Sequence, residues 1–124
     1  MINFDKDKVI ALHKLTAQKT GGDDGLRDSA LLDSAIQSVY ATFDGNELYP
    51  SIEEKAARLC FNLISNHAFV DGNKRIGVLI ALIFLEVNGI SIFTTNDDVV
   101  SLGLGVASGK MKYDDVLNWI KRNE

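Results

Sequence analysis

The chain has one cysteine, one proline and no surplus of positive charge, and each shortage narrows what it can be. With Cys60 alone no internal disulfide is possible, which fits a reducing cytoplasm. Cys60 lies in "ARLCFNLI", a helical apolar pattern, and is expected in the core. Pro50 is the sole proline in 124 residues, so long helices can run uninterrupted. Lys and Arg number 13 against 17 Asp and Glu, a net charge of -4. That balance disfavours a nucleic-acid coat, which needs basic patches to neutralise phosphates, and no direct nucleic-acid binding is expected. It leaves room for a small cationic pocket. The longest apolar run, Val78–Leu85, is far below the ~20 residues of a membrane span. The opening "MINFDKDKVIAL" lacks a basic stretch followed by an apolar one, so no secretory leader is expected. With no repeat, low-complexity tract or break in composition, one cytoplasmic domain over residues 1–124 is expected.

What is present is helical periodicity. A first helix is expected from about Asp5 to Thr20, with Val9, Leu12 and Leu15 or Thr16 on one face, stopped by Gly21-Gly22. His13 falls within it, at a surface or half-buried position with no assigned role. "GGDDGLRD" reads as a loop, and Asp28 as the cap of a second helix, "SALLDSAIQSVYATF". "DGNELYP" reads as the next loop. Ser51 followed by Glu54 forms a capping box opening a third helix that ends near Asn66-His67. A fourth helix is expected over about residues 72–88, ending at Asn88-Gly89. It is apolar on nearly every side from Ile76 to Val87, so it is the buried central helix of a bundle. "ISIF" reads as a short strand or extended link. A fifth helix from Asn96 or Asp97 through Val106 and a sixth over "YDDVLNWIKRN" complete an all-α, six-helix architecture.

Between the third and fourth helices stands "NHAFVDGNKRIG", Asn66 to Gly77. Asp-Gly is a hairpin signal, but the apolar run that follows is too long for a strand. A calcium loop would need glycine where Ile76 stands and an acid where Leu82 stands. Phosphate-loop and dinucleotide fingerprints are absent. The arrangement left is a loop feeding a helix N-terminus, whose first amides lack intrahelical partners and carry partial positive charge. Gly72 lets an anion approach the backbone, and Asn73, Lys74 and Arg75 add donors and charge, as at phosphate-binding sites. Asp71 beside such a site calls for a cation between acid and phosphate, and Mg²⁺ is the usual one. Histidine is the usual side chain for taking a proton from a hydroxyl, so His67 is the candidate base. Phe69 would bury itself and anchor the loop. The chemistry implied is phosphoryl or nucleotidyl transfer. The plainer alternatives are His67 as a helix C-cap, Asp71 as an N-cap and Lys74-Arg75 as a solvated face.

The stretch resembles the Fic/Doc motif, His-x-Phe-x-Asp/Glu-Gly-Asn-Gly/Lys-Arg, at His67, Phe69, Asp71, Gly72, Asn73, Lys74 and Arg75. "GLRDSALLDSA", "YPSIEEKAARLCFNLISNH", "FLEVNGISIF" and "GVASGKMKYDDVLNWI" also look like segments of the death-on-curing (Doc) branch, so the likeness covers nearly the whole chain. Adenylylating Fic enzymes read Gly-Asn-Gly-Arg-x-x-Arg. Here Lys74 replaces the second glycine and Val78 the second arginine. In the Doc branch that change accompanies transfer of the γ-phosphoryl of ATP instead of an adenylyl group. The resemblance therefore implies a bacterial toxin with protein-kinase activity, directed at a threonine of elongation factor Tu. It implies His67 as general base, Asp71 as Mg²⁺ ligand, and Gly72, Asn73, Lys74 and Arg75 as the ATP-phosphate site. It also implies a small Phd-type antitoxin whose disordered tail folds into a groove, expected beside the first three helices. A nucleotidyl transferase of AMP or UMP, or a catalytically silent binding module, is the alternative.

Overall fold

Polar side chains at the expected boundaries start the helices. Asp5, Asp28 and Thr95 each accept a hydrogen bond from the amide three residues on. The Ser51–Glu54 capping box forms in both directions, at 3.0 and 3.3 Å. The computed structural model describes residue 1 and residues 3–124. Among the described residues are six α-helices: α1 (Lys6–Thr20), α2 (Ser29–Gln37), α3 (Ile52–Asn66), α4 (Asn73–Val87), α5 (Asn96–Ala107) and α6 (Tyr113–Arg122). The only sheet among the described residues is a two-strand hairpin, β1 (Thr42–Phe43) with β2 (Asn46–Glu47), so the fold is all-α as expected.

The hairpin departs from the sequence expectation. The second helix stops at Gln37, not near Phe43, and tightens into one 3-10 turn, Ser38–Tyr40. The next residues, Thr42 and Phe43, pair with Glu47 and Asn46 across Asp44 and Gly45. Both turn residues are left-handed, with φ of 56° and 81°, as a tight Asp-Gly hairpin requires. The hairpin is tied to the core by Lys55, which is 1% exposed. Its ammonium donates to Glu47 Oε1 at 3.0 Å and to the carbonyl of Tyr49. A buried ammonium without such acceptors would be strongly destabilising.

The centre of the bundle is the α3–α4 pair. From α3 come the buried side chains of Ala56, Ala57, Leu59, Cys60, Leu63 and Ile64, and from α4 those of Ile76, Val78, Ile80, Ala81, Phe84 and Leu85. Each large one contributes roughly 2 kcal/mol by leaving water. Leu79, Leu82 and Ile83 of α4 are partly buried, packed against the edge of the core. The two helices touch at Gly77, where a β-carbon would lie 2.6 Å from Ile64 Cγ1 and 3.2 Å from the Cys60 carbonyl. Val116, Trp119 and Ile120 of α6 close one side, and Phe4 meets Phe84 edge-on at 6.1 Å.

The buried stripe of α1 is Val9, His13 and Ala17. Leu12 and Thr16 are half-buried, and Leu15, the other residue expected for that face, is 55% exposed. "ISIF" is an extended link in which Phe93 donates its amide to the Asn123 carbonyl at 2.7 Å. No helix of the described residues is long and apolar enough to cross a membrane.

Candidate active site

Residues 67–72 join the two central helices, and three neighbours hold this short loop. The first is the segment after α1. Val70 donates to the Gly25 carbonyl at 3.0 Å, and the amides of Arg27 and Asp28 donate to the Ala68 carbonyl at 2.8 and 3.0 Å. Leu26 and Phe69 form an isolated antiparallel bridge. The second is Asn73, whose side-chain amide spans the backbone of Phe69. Its Oδ1 accepts from the Phe69 amide and its Nδ2 donates to the Phe69 carbonyl, both at 3.0 Å. The third is His13, whose Nε2–H donates to the Asp71 carbonyl at 2.6 Å.

The motif residues divide into those that shape the loop and those that face solvent. Phe69 is buried, as an anchor should be. The Asn73 side chain is committed to Phe69, so its backbone amide is the group that can face an anion. Gly72 stands at the cap position of α4 with φ of 78°, a left-handed geometry costly for other residues. Asp71 is not the N-cap. Its Oδ1 accepts from the Gly72 amide at 2.8 Å. No side chain caps α4, so the amides of its first turn keep their partial positive charge. His67 occupies the C-cap position of α3 in a left-handed conformation, with φ of 51° and ψ of 47°.

His67, Asp71, Lys74 and Arg75 are all exposed. They surround one loop–helix junction but border different depressions. His67 lines a cleft of about 220 Å³ walled by Phe61, Ile64, Val106 and Met111, with Lys112 at its edge. Asp71 and Arg75 line a narrow crevice with His13, Thr16 and Gly22. Arg75 Nη1 donates to Thr20 Oγ1 at 3.3 Å. Lys74 rises beside α5, where a β-carbon on Gly103 would lie 3.4 Å from both its Cβ and its carbonyl oxygen. Among the described residues, neither Lys74 nor Arg75 has a carboxylate partner.

This donor set suits the oxygens of a phosphate group better than a bare metal. No group of three or more His, Cys, Asp or Glu among the described residues could hold a metal. A divalent ion would thus rest on Asp71 plus phosphate oxygens, which is how Mg²⁺ is commonly held. Two residues of the site were not expected from the sequence. His13 is 2% exposed and stacks on Phe69, and its signal was the Val9–His13–Ala17 spacing along one helix face. Arg27 donates to the His67 carbonyl, and nothing in its own sequence neighbourhood announces that contact.

An uncapped helix N-terminus beside two cations without carboxylate partners among the described residues is an arrangement suited to anions. The chain belongs to the Fic/DOC family, whose model matches residues 3–85. It is 44% identical over 72 residues to Toxin Doc of Mycolicibacterium smegmatis, a match that spans 58% of this chain and 55% of that protein. The chain thus spans little more than half the length of that relative. It is 29% identical over 122 residues to Protein kinase doc of Escherichia phage P1, covering 98% of this chain and 95% of the phage protein.

Proposed function

We propose that this protein is a Doc-type toxin, a kinase that transfers the γ-phosphoryl group of ATP to a Ser or Thr hydroxyl of a translation factor, elongation factor Tu. The observation that carries this reading is the uncapped N-terminus of α4, flanked by Asp71 and by two cations free of acidic partners among the described residues. Lys74 weights it towards phosphoryl transfer, as does the name of the phage relative.

In this mechanism His67 accepts the proton of the target hydroxyl. The hydroxyl oxygen bonds to the γ-phosphorus, the bond from that phosphorus to the bridging oxygen breaks, and ADP leaves with the electron pair. The first-turn amides of α4, with Lys74 and Arg75, hold the charge on the phosphate oxygens. Bound Mg²⁺ would supply the positive charge between Asp71 and the phosphates. Gly72 keeps the backbone open to the anion. The toxin acts in the bacterial cytoplasm, and a Phd-type antitoxin neutralises it.

The test is intact-mass measurement of elongation factor Tu after incubation with the protein, ATP and Mg²⁺. A phosphoryl increment is expected, and it should vanish with His67→Ala. An adenylyl increment, or a uridylyl one when UTP replaces ATP, would replace the kinase by a nucleotidyl transferase. Undiminished growth arrest by His67→Ala in cells would point to a silent binding module.

A further inference from the structure

A general base must be held still, yet His67 sits where a side-chain-bearing residue is poorly accommodated. It lies just past the last turn of α3, in the left-handed region that glycine usually fills at such ends. The last carbonyls of α3 need donors, and its final turn carries no basic residue to offset the negative end of the helix dipole. Both needs are met from elsewhere in the chain. Arg27 Nε donates to the His67 carbonyl at 2.7 Å, and its Nη2 reaches the Asn66 carbonyl at 3.4 Å.

The base of this fork is itself fixed, because the Arg27 and Asp28 amides both bind the Ala68 carbonyl. Arg27 has no acidic partner among the described residues, so its charge is directed at the helix end. A planar guanidinium can bridge two adjacent carbonyls, whereas a lysine offers a single point charge.

We infer that Arg27 is a positioning residue for His67. It caps α3 from a distance and fixes the left-handed backbone that points the imidazole, while itself touching no substrate. The inference rests on the proposed role of His67 for its kinetic consequence and on geometry alone for its structural one.

Two measurements on the full chain separate these. Backbone chemical shifts of His67 report its left-handed conformation. In Arg27→Ala they should move towards those of an unstructured helix end, with the shifts of α1 and α5 preserved. In the phosphoryl-transfer assay the same variant should lose kcat by on the order of 10- to 100-fold with the KM for ATP unchanged, and Arg27→Lys should recover part of the loss. If Arg27→Ala fails to fold, Arg27→Lys carries the same comparison against wild type. Wild-type His67 shifts and wild-type kcat in the variant would overturn the inference. So would displaced shifts throughout the bundle, which would make Arg27 a general support of the fold. Absence of transfer by the wild-type protein, together with displaced His67 shifts in the variant, would remove the kinase reading and leave the positioning role standing.

Discussion

His13 lies face to face with Phe69, ring centroids 3.7 Å apart and planes 13° from parallel, while its Nε2–H holds the Asp71 carbonyl. One residue of the first helix thus supports the loop at two points. The bond to the Asp71 carbonyl requires hydrogen on Nε2, and Nδ1 is buried without a partner. His13→Phe keeps the stack and loses the bond. It should cost about 1 kcal/mol of stability in urea denaturation. His13→Ala loses both and leaves a cavity, at about 2–4 kcal/mol. Both should lower the transfer rate, and a rate equal to wild type would show that the loop holds its shape unaided.

Asn73 should behave as a loop clamp first. Asn73→Ala removes both bonds to the Phe69 backbone, leaving a buried amide and carbonyl unpaired. The expected cost is about 2–4 kcal/mol. Asn73→Asp keeps an acceptor for the Phe69 amide but sets carboxylate oxygen against the Phe69 carbonyl. Thermal denaturation should place it near or below Asn73→Ala, and a melting temperature equal to wild type would refute the clamp.

Gly77→Ala tests the helix crossing. The added methyl would meet Ile64 Cγ1 and the Cys60 carbonyl, one of them backbone that cannot swing aside. Overpacking of this kind costs about 1–3 kcal/mol. Gly45→Ala meets no neighbour within 4 Å but sits at φ of 81°, so its cost should come from backbone strain alone. The double variant should therefore be additive in denaturant.

Alkali should destabilise the protein through two acids whose ionisation the fold opposes, the buried Cys60 and the half-buried Tyr113. Burial pushes the Cys60 thiol from 9.0 up to about 12. Burial, with the nearby Glu54 carboxylate second, pushes the Tyr113 phenol from 10.0 up to about 12. Unfolded, both groups ionise first, so the unfolded chain binds fewer protons and stability falls as pH rises from about 9 to about 12. Below that window their contribution is fully present. Melting curves across it should show the decline, reduced in Cys60→Ala. At pH near 8, iodoacetamide should label Cys60 only at the rate of unfolding, because the native thiolate is scarce.

The fold class, the capping box and the long apolar fourth helix were legible because each is a local pattern. The loop motif was legible as letters. Its geometry was not, since the groups that shape it are distant: His13 reaches Asp71 across 58 positions and Arg27 reaches His67 across 40. The Asp-Gly hairpin signal illustrates the same limit. It fails at Asp71-Gly72, where an apolar helix follows, and succeeds at Asp44-Gly45, where Thr42 and Phe43 favour an extended chain. Asn73, expected to add a donor to the phosphate site, has its side chain on the Phe69 backbone instead.

The contacts from residues 13 and 25–28 onto the loop bear on the order in which the protein is built. Such non-local pairings close long stretches of chain, 58 positions for His13–Asp71 and 40 for Arg27–His67, and the closure entropy must be offset before they hold. The stretch from Asn66 to Gly77 therefore acquires its shape by being cast against the N-terminal segment, as metal is cast in a mould. A peptide of that stretch, or a chain begun after Asp28, would carry the same letters without the form.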